Sequence, residues 1–81
     1  MRVLYFAYLR ERMGRAEEEL ETPAATVAEL IDELRARGPE GALAFSDLDS
    51  LRVAVDQELA GWNSPLAGAR EVAFFPPMTG G

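Results

Sequence analysis

The chain has 81 residues, a length that suits one small domain. Its formal net charge of −6 disfavours nucleic acid and anionic membranes as partners, because both attract basic patches. Neither cysteine nor histidine occurs, which excludes disulfides, thiol nucleophiles, imidazole bases and the usual zinc ligands. No apolar run approaches a membrane span, and no signal-peptide pattern follows Met1, so we expect a cytoplasmic protein.

The first part of the chain predicts two strands. Arg2 to Tyr8 is rich in aromatic and aliphatic residues on both faces, which indicates a central strand covered on both sides. Leu9 to Gly14 reads as a short helical or turn connection, and Arg15 to Glu21 as an edge strand. We interpret its Glu17–Glu19 run as a solvated edge that resists unwanted pairing rather than as a metal site.

The firmest secondary-structure prediction is a helix that begins after Thr26. Thr26 and Glu29 have the spacing of a capping box, in which each side chain binds the other residue's backbone N–H. The spacing i, i+3, i+4, i+7 that follows predicts one apolar stripe, made of Val27, Leu30, Ile31 and Leu34. Gly38-Pro39 then ends the helix.

The second part of the chain predicts a loop and three strands. Residues 40–50 read as a loop with Leu43 and Phe45 as apolar anchors. We expect Trp62 to pack against the domain or cover a hairpin. The three predicted strands are Leu51 to Val55, Leu59 to Trp62, and Glu71 to Phe75.

The element order predicts the fold class. The order is β-β-α-β-β-β, and one main helix can cover only one face of a four- or five-stranded sheet. The first and last strands are the most apolar, so we place them side by side in the centre, parallel, with the hairpins at the edges. Residues 1–75 are therefore predicted to form an α+β domain with a mixed sheet, the β-grasp arrangement of ubiquitin.

Residues 76–81 (Pro-Pro-Met-Thr-Gly-Gly) predict a flexible tail. The prolines favour an extended chain, and glycines without Cβ atoms can thread a narrow channel. Six residues reach about 20 Å, enough to enter a partner's active site. There, an ATP-using enzyme could adenylate the carboxylate of Gly81, and a sulfur source could displace AMP to leave a thiocarboxylate. Gly80 and Gly81 are thus the candidate chemical site.

Strand parity also predicts an apolar docking face. Leu4, Phe6, Tyr8 and Phe75 alternate with the residues expected to face the helix, so they should lie on the uncovered side of the sheet. An exposed aromatic patch on a small acidic protein usually marks an interface. The alternative is a second small core under the long loops.

Three segments resemble the small, sulfur-carrier subunit of molybdopterin synthase. They are Val3-Leu4-Tyr5-Phe6-Ala7 followed by Arg10-Glu11, Val55-Asp56-Gln57, and the stretch from Glu71 through Phe-Phe-Pro-Pro-Met-Thr to Gly80-Gly81. The resemblance runs over nearly the whole chain. Asp56 departs from it, since family members often have Asn there, and we expect this change only to alter the turn.

The resemblance implies a mechanism and partners. Gly81 would be adenylated by a ubiquitin-activating-type enzyme using ATP, with no tightly bound cofactor or metal in the chain itself. The thiocarboxylate tail would enter the active site of the synthase large subunit, and two loaded carriers would supply the dithiolene sulfurs. The assembly would be a heterotetramer in which this chain is a non-catalytic subunit. The implied partner contacts are Phe6, Leu59, Phe75, Pro76, Pro77, Met78 and Thr79.

Two other kinds of function stay open from the sequence. One is a sulfur carrier for thiamine, tRNA thiolation or tungsten cofactor. The other is a ubiquitin-like interaction module or protein modifier without sulfur chemistry.

Overall fold

A computed structural model describes residues 1–77. The predicted flexible tail from Met78 to Gly81 lies outside the described residues. The elements in chain order are β1 (Arg2–Tyr5), α1 (Tyr8–Met13), β2 (Glu17–Glu19), α2 (Val27–Ala36), α3 (Pro39–Ala44), a 3-10 turn (Leu48–Ser50), β3 (Arg52–Val55), β4 (Glu58–Ala60) and β5 (Glu71–Phe75).

The strands form one mixed five-stranded sheet in the order β2-β1-β5-β3-β4. The central pair, β1 and β5, is parallel, with Val3 opposite Val72 and Tyr5 opposite Phe74. The other three pairings are antiparallel, and β2 and β4 form the edges. The predicted central parallel pair with flanking hairpins is confirmed.

The core lies between the sheet and helix α2. Thr26 caps α2 by accepting the N–H of Glu29 through its hydroxyl, as the capping-box spacing predicts. On the sheet side, Phe74 meets the ring of Phe45 edge to face, with centroids 4.9 Å apart. Trp62 packs against this core, as expected. The apolar stripe of α2 is fully buried at Val27, Leu30, Ile31 and Leu34.

The first strand is shorter than the sequence suggests. It ends at Tyr5, the N–H of Phe6 donates to the Phe74 carbonyl, and Ala7 then turns the chain with φ of 55°. Tyr8 is therefore the first residue of α1, where the Arg12 guanidinium lies 4.5 Å from its ring centroid. The prediction that Ala7 and Tyr8 extend the strand is wrong, because a helix here buries Leu9 completely.

Residues 40–50 are not wholly a loop, because α3 extends to Ala44 and a 3-10 turn covers Leu48–Ser50. Pro39 occupies the first turn of α3, where its missing N–H costs nothing. A Cβ on Gly41 would overlap the Leu34 carbonyl oxygen, so glycine allows α3 to pack closely against α2. Of the two predicted anchors, Phe45 is buried, but Leu43 is 55% exposed. Six residues are too few to show a helical period, which explains the error.

Glu18 is not part of a solvated edge. It lies opposite Val3 on the helix-covered side, and its carboxylate accepts hydrogen bonds from Tyr5 Oη at 2.7 Å and from both Nη atoms of Arg37. Burial acts to raise the pKa of Glu18, but the bonds from Arg37 and Tyr5 and the nearby Arg15 outweigh it and lower that pKa. Burial and the bond to Glu18 raise the pKa of Tyr5.

The β3–β4 hairpin turns at Asp56 and Gln57, with φ of 50° and 69°. Two consecutive positive φ values are typical of a type I′ turn, which Asn and Asp tolerate well. The carboxylate of Asp56 also accepts the backbone N–H groups of Arg70 and Glu71 at 2.9 and 3.0 Å. Asp56 therefore does more than shape the turn: it secures the start of β5.

Candidate functional site

The sheet face away from α2, here called the open face, carries an apolar row across four strands. The strand register places Leu4 of β1 beside Ala73 of β5, Ala73 beside Ala54 of β3, and Ala54 beside Leu59 of β4. Leu59 is 74% exposed, whereas Ala73 in the centre is 7% exposed. The row is continuous because alternate residues of every strand point to the same face.

Two aromatic residues extend this row toward the C-terminal end of β5. Phe75 is half-buried and follows Ala73 on the same face. Phe6 directly follows β1 and is 49% exposed. The chain then leaves the sheet through Pro76 and Pro77, both half-buried. The segment that would bear the chemistry therefore departs next to the aromatic end of the open face.

A charged border closes the other end of the open face. The guanidinium of Arg2 lies between two carboxylates, with Nη2 2.8 Å from Glu71 Oε1 and Nε 3.5 Å from Glu17 Oε2. The hydrogen bond to Glu71, with the nearby charge of Glu17, raises the pKa of Arg2, so this side chain stays cationic. The apolar row is thus bounded by ion pairs on one side and aromatic rings on the other.

The structure places three of the predicted partner contacts, Phe6, Leu59 and Phe75, at exposed or half-buried positions on or beside the open face. Tyr8 is absent from it because it belongs to α1. The alternative of a second small core is not supported for residues 1–77, where Leu59 and Phe6 remain well exposed and the helices pack on the opposite side. Among the predicted site residues, Met78, Thr79, Gly80 and Gly81 lie outside the described residues.

Sequence reasoning missed Ala54, Ala73 and Arg52. Ala54 and Ala73 fill the middle of the apolar row, and Arg52 lies opposite Phe75 in the β3–β5 pairing. Alternation within the predicted strand from Leu51 to Val55 could have placed Ala54 and Arg52 on one face. Their neighbours on β5, however, are about 20 residues away in sequence and follow only from the register.

Within residues 1–77 there is no group of three or more carboxylates placed to hold a metal ion. None of the helices in that range is long and apolar enough to cross a membrane. The open face carries exposed apolar side chains, Phe6 and Leu59, and is suited to docking for that reason.

A five-stranded mixed sheet with a central parallel pair, one main helix on one face and an open opposite face defines a ubiquitin-like β-grasp protein. Solved structures agree with this class: SAMP1 from Haloferax volcanii superposes with a TM-score of 0.77 at 30% identity, covering 100% of this chain and 98% of that one. A putative molybdopterin converting factor, subunit 1, from Pyrococcus furiosus gives 0.72 at 30% identity over 95% of both chains. Residues 3–81 match the ThiS family, and the chain belongs to it.

Curated relatives match the chain over its whole length. The molybdopterin synthase sulfur carrier subunit of Escherichia coli (strain K12) is 41% identical over 81 residues, which is 100% of this chain and 99% of the relative. The protein of the same name from Haemophilus influenzae is 38% identical with the same coverage. The family resemblance predicted from the sequence is confirmed.

Proposed function

We propose that this chain is the sulfur carrier subunit of a molybdopterin synthase and acts in molybdenum cofactor biosynthesis. The observation that carries the proposal is the full-length match, at 41% identity, to a relative of that name. The open face supports it, since a carrier needs a surface with which to dock on an enzyme. In this function the chain is a non-catalytic donor, and the synthase active site belongs to its partner.

The chemistry proposed for Gly81 begins with its carboxylate. An activating enzyme of the ubiquitin-activating type joins the carboxylate to ATP, which releases pyrophosphate and leaves an acyl-adenylate. Sulfide-level sulfur from a sulfur donor then attacks the acyl carbon, forms a C–S bond and displaces AMP, which leaves a thiocarboxylate. Adenylation is required because a carboxylate oxygen is a poor leaving group, whereas AMP is a good one. ATP is thus a substrate of the partner, and the cytoplasm, where ATP is available, is the expected location.

The proposed partner of the loaded carrier is the synthase large subunit. Its active site receives the tail, while the open face docks outside through Phe6, Leu59 and Phe75. In this proposal the tail residues Pro76, Pro77, Met78 and Thr79 contact the partner at the entrance of its active site, and Gly80 and Gly81 reach the pterin substrate. The proposed assembly is a heterotetramer with two carriers at opposite ends of a dimer of large subunits. Two loaded carriers supply the two sulfurs of each dithiolene.

Reconstitution tests the proposal. The purified chain is mixed with a molybdopterin synthase large subunit, an activating enzyme, ATP, a sulfur donor and cyclic pyranopterin monophosphate. We expect the intact mass to rise by one sulfur-for-oxygen exchange, and dithiolene product to form only when ATP is present. The E. coli relative serves as a positive control.

Two results would contradict this function. If the chain does not gain sulfur under conditions in which the E. coli relative does, the proposed carrier role is contradicted. Sulfur loading without dithiolene formation, together with transfer to a thiamine precursor or a tRNA, would favour those carrier functions. Conjugation of the unmodified acid to other proteins would favour a modifier.

A further inference from the structure

Arg52 is a cation at the aromatic end of the open face. It begins β3, and its Cα pairs with that of Phe75, the last residue of β5. The flanking Val53 is buried on the core side, so Arg52 and Ala54 share the open face. Arg52 is exposed and lies beside the point where the chain leaves the sheet.

The charge of Arg52 is not neutralised within the described part of the chain. Its Nη1 donates to the backbone carbonyls of Leu51 at 2.8 Å and Asp49 at 3.2 Å, and both acceptors are uncharged. No carboxylate of residues 1–77 forms an ion pair with it, in contrast to Arg2 at the other end of the face. A guanidinium has five N–H donors in a planar fork, so several remain for another acceptor.

Docking through the open face would take this guanidinium out of water. A buried cation without a partner strongly opposes binding, whereas an arginine that meets a carboxylate can form two parallel charge-assisted bonds. No carboxylate of residues 1–77 pairs with Arg52, so we expect the acidic group that neutralises it on docking to come from the partner.

We propose that Arg52 is a specificity-determining docking residue that binds a carboxylate on the partner protein at the entrance that receives the tail. This inference rests on the proposed function, because it assumes that the large subunit docks on the open face. The pairing would fix the rotation of the carrier on its partner, because burial of apolar surface is non-directional, whereas a bidentate pair has a defined geometry.

The test compares three variants by calorimetric titration with the large subunit. Arg52→Met removes the charge but keeps a long apolar side chain. Arg52→Glu reverses the charge. Arg70→Glu is the matched control, because it makes the same change in net charge at another exposed arginine. Arg70 directly precedes β5 and so lies at the opposite end of that strand from Phe75. Thermal melting of each variant verifies that the fold is kept.

We expect Arg52→Met to raise Kd about tenfold or more and Arg52→Glu to raise it further, while Arg70→Glu stays within about threefold. Reversing one acidic residue of the partner to arginine should restore the affinity of Arg52→Glu. Three results would each overturn the inference. They are an equal rise in Kd for Arg52→Glu and Arg70→Glu, an unchanged Kd for Arg52→Met, and failure of every acidic-to-arginine reversal on the partner's docking face to restore the affinity of Arg52→Glu. If one of these results is found but the native chain binds the large subunit and supports dithiolene formation, only the role of Arg52 is wrong and the proposed function stands. If the native chain does not bind the large subunit, the role of Arg52 and the proposed function are both wrong.

Discussion

Phe74 and Phe75 are neighbours in the chain but lie on opposite faces of the sheet. Phe74 is fully buried and meets Phe45 edge to face, whereas Phe75 is half-buried on the open face. This division separates the two roles of β5, since one aromatic ring stabilises the domain and the next is available to a partner. It also allows each role to be tested by its own substitution.

Substitution of Phe75 by Arg should weaken binding to the large subunit by tenfold or more while the domain still folds. The reason is that a cation would enter an apolar contact without a partner. Phe74→Ala should instead destabilise the fold by about 3–5 kcal/mol, because it empties a packed core position. Calorimetric titration and denaturant unfolding measure the two effects. Unfolding of the Phe75→Arg chain, or unchanged affinity, would contradict the assignment of Phe75 to the docking face.

Changes in tail length at Gly81 should abolish sulfur transfer without affecting stability. Deleting Gly81, or adding one alanine after it, shifts the reactive atom by about 3.3 Å, and a misplacement near 1 Å already costs about a hundredfold in rate. Melting temperature, adenylation and dithiolene formation are measured for the native, shortened and extended chains. Product formation at the native rate by the extended chain, with its extra residue still attached, would contradict the C-terminal carrier mechanism.

Gly41→Ala should destabilise the domain by about 1–3 kcal/mol. The added Cβ would overlap the carbonyl oxygen of Leu34, which belongs to the backbone of α2 and has little freedom to move. Gly61→Ala is the control, because a Cβ there meets no atom within 4 Å. Denaturant unfolding of both variants measures the difference. Equal stability of the two variants would show that α3 can shift away from α2 at little cost.

The carboxylate of Glu18 should make stability depend on acidic pH. Its pKa is lowered in the folded chain, so the unfolded chain binds the proton more readily in that range. The stabilisation is therefore complete above the ordinary value of 4.5 and is lost as the pH falls through the lower, folded value. The loss of unfolding free energy caused by Glu18→Gln should be larger near neutral pH than at about pH 3.

Urea unfolding at the two pH values checks this prediction. Glu21→Gln is the control, because Glu21 is exposed and lies two residues beyond β2. Its effect on the free energy of unfolding should be nearly the same at the two pH values. An equal cost of Glu18→Gln at both pH values would mean that the bonds from Tyr5 and Arg37 do not depend on the charge of Glu18.

Local patterns in the sequence predicted some elements well and others poorly. Helix α2 was predictable because its apolar stripe repeats over several turns and Thr26 marks its start. Helix α3 was not, because six residues show no period and Gly38-Pro39 looked like a helix stop, although Pro39 begins the next helix. The end of β1 was misplaced because strand alternation continues in the sequence past the positive φ of Ala7.

For the candidate site, residue types were predictable and their neighbours were not. Parity alone placed Leu4 and Phe75 on the uncovered face, and the residue types at the C-terminal end suggested the chemistry of Gly81. The pairing of Arg52 with Phe75 depends on the β3–β5 register, to which no local pattern contributes. In the same way, the sequence does not show that Glu18 is a partly buried acceptor, because Arg37, the C-cap of α2, reaches it only in the folded chain.

The sequence by itself determined the buried face of α2, the alternation of side chains along β1 and β5, and the composition of the tail, because these depend on residues only a few positions apart. The prediction that the first strand is covered on both sides is wrong, since Phe6 is 49% exposed on the open face. The tertiary structure alone decided the register of the sheet, the close crossing of α2 and α3 at Gly41, and the surroundings of Glu18 and Arg52. The physical reason is that these contacts join segments far apart in the chain. Their geometry follows from packing the whole core at once, which local propensity does not specify.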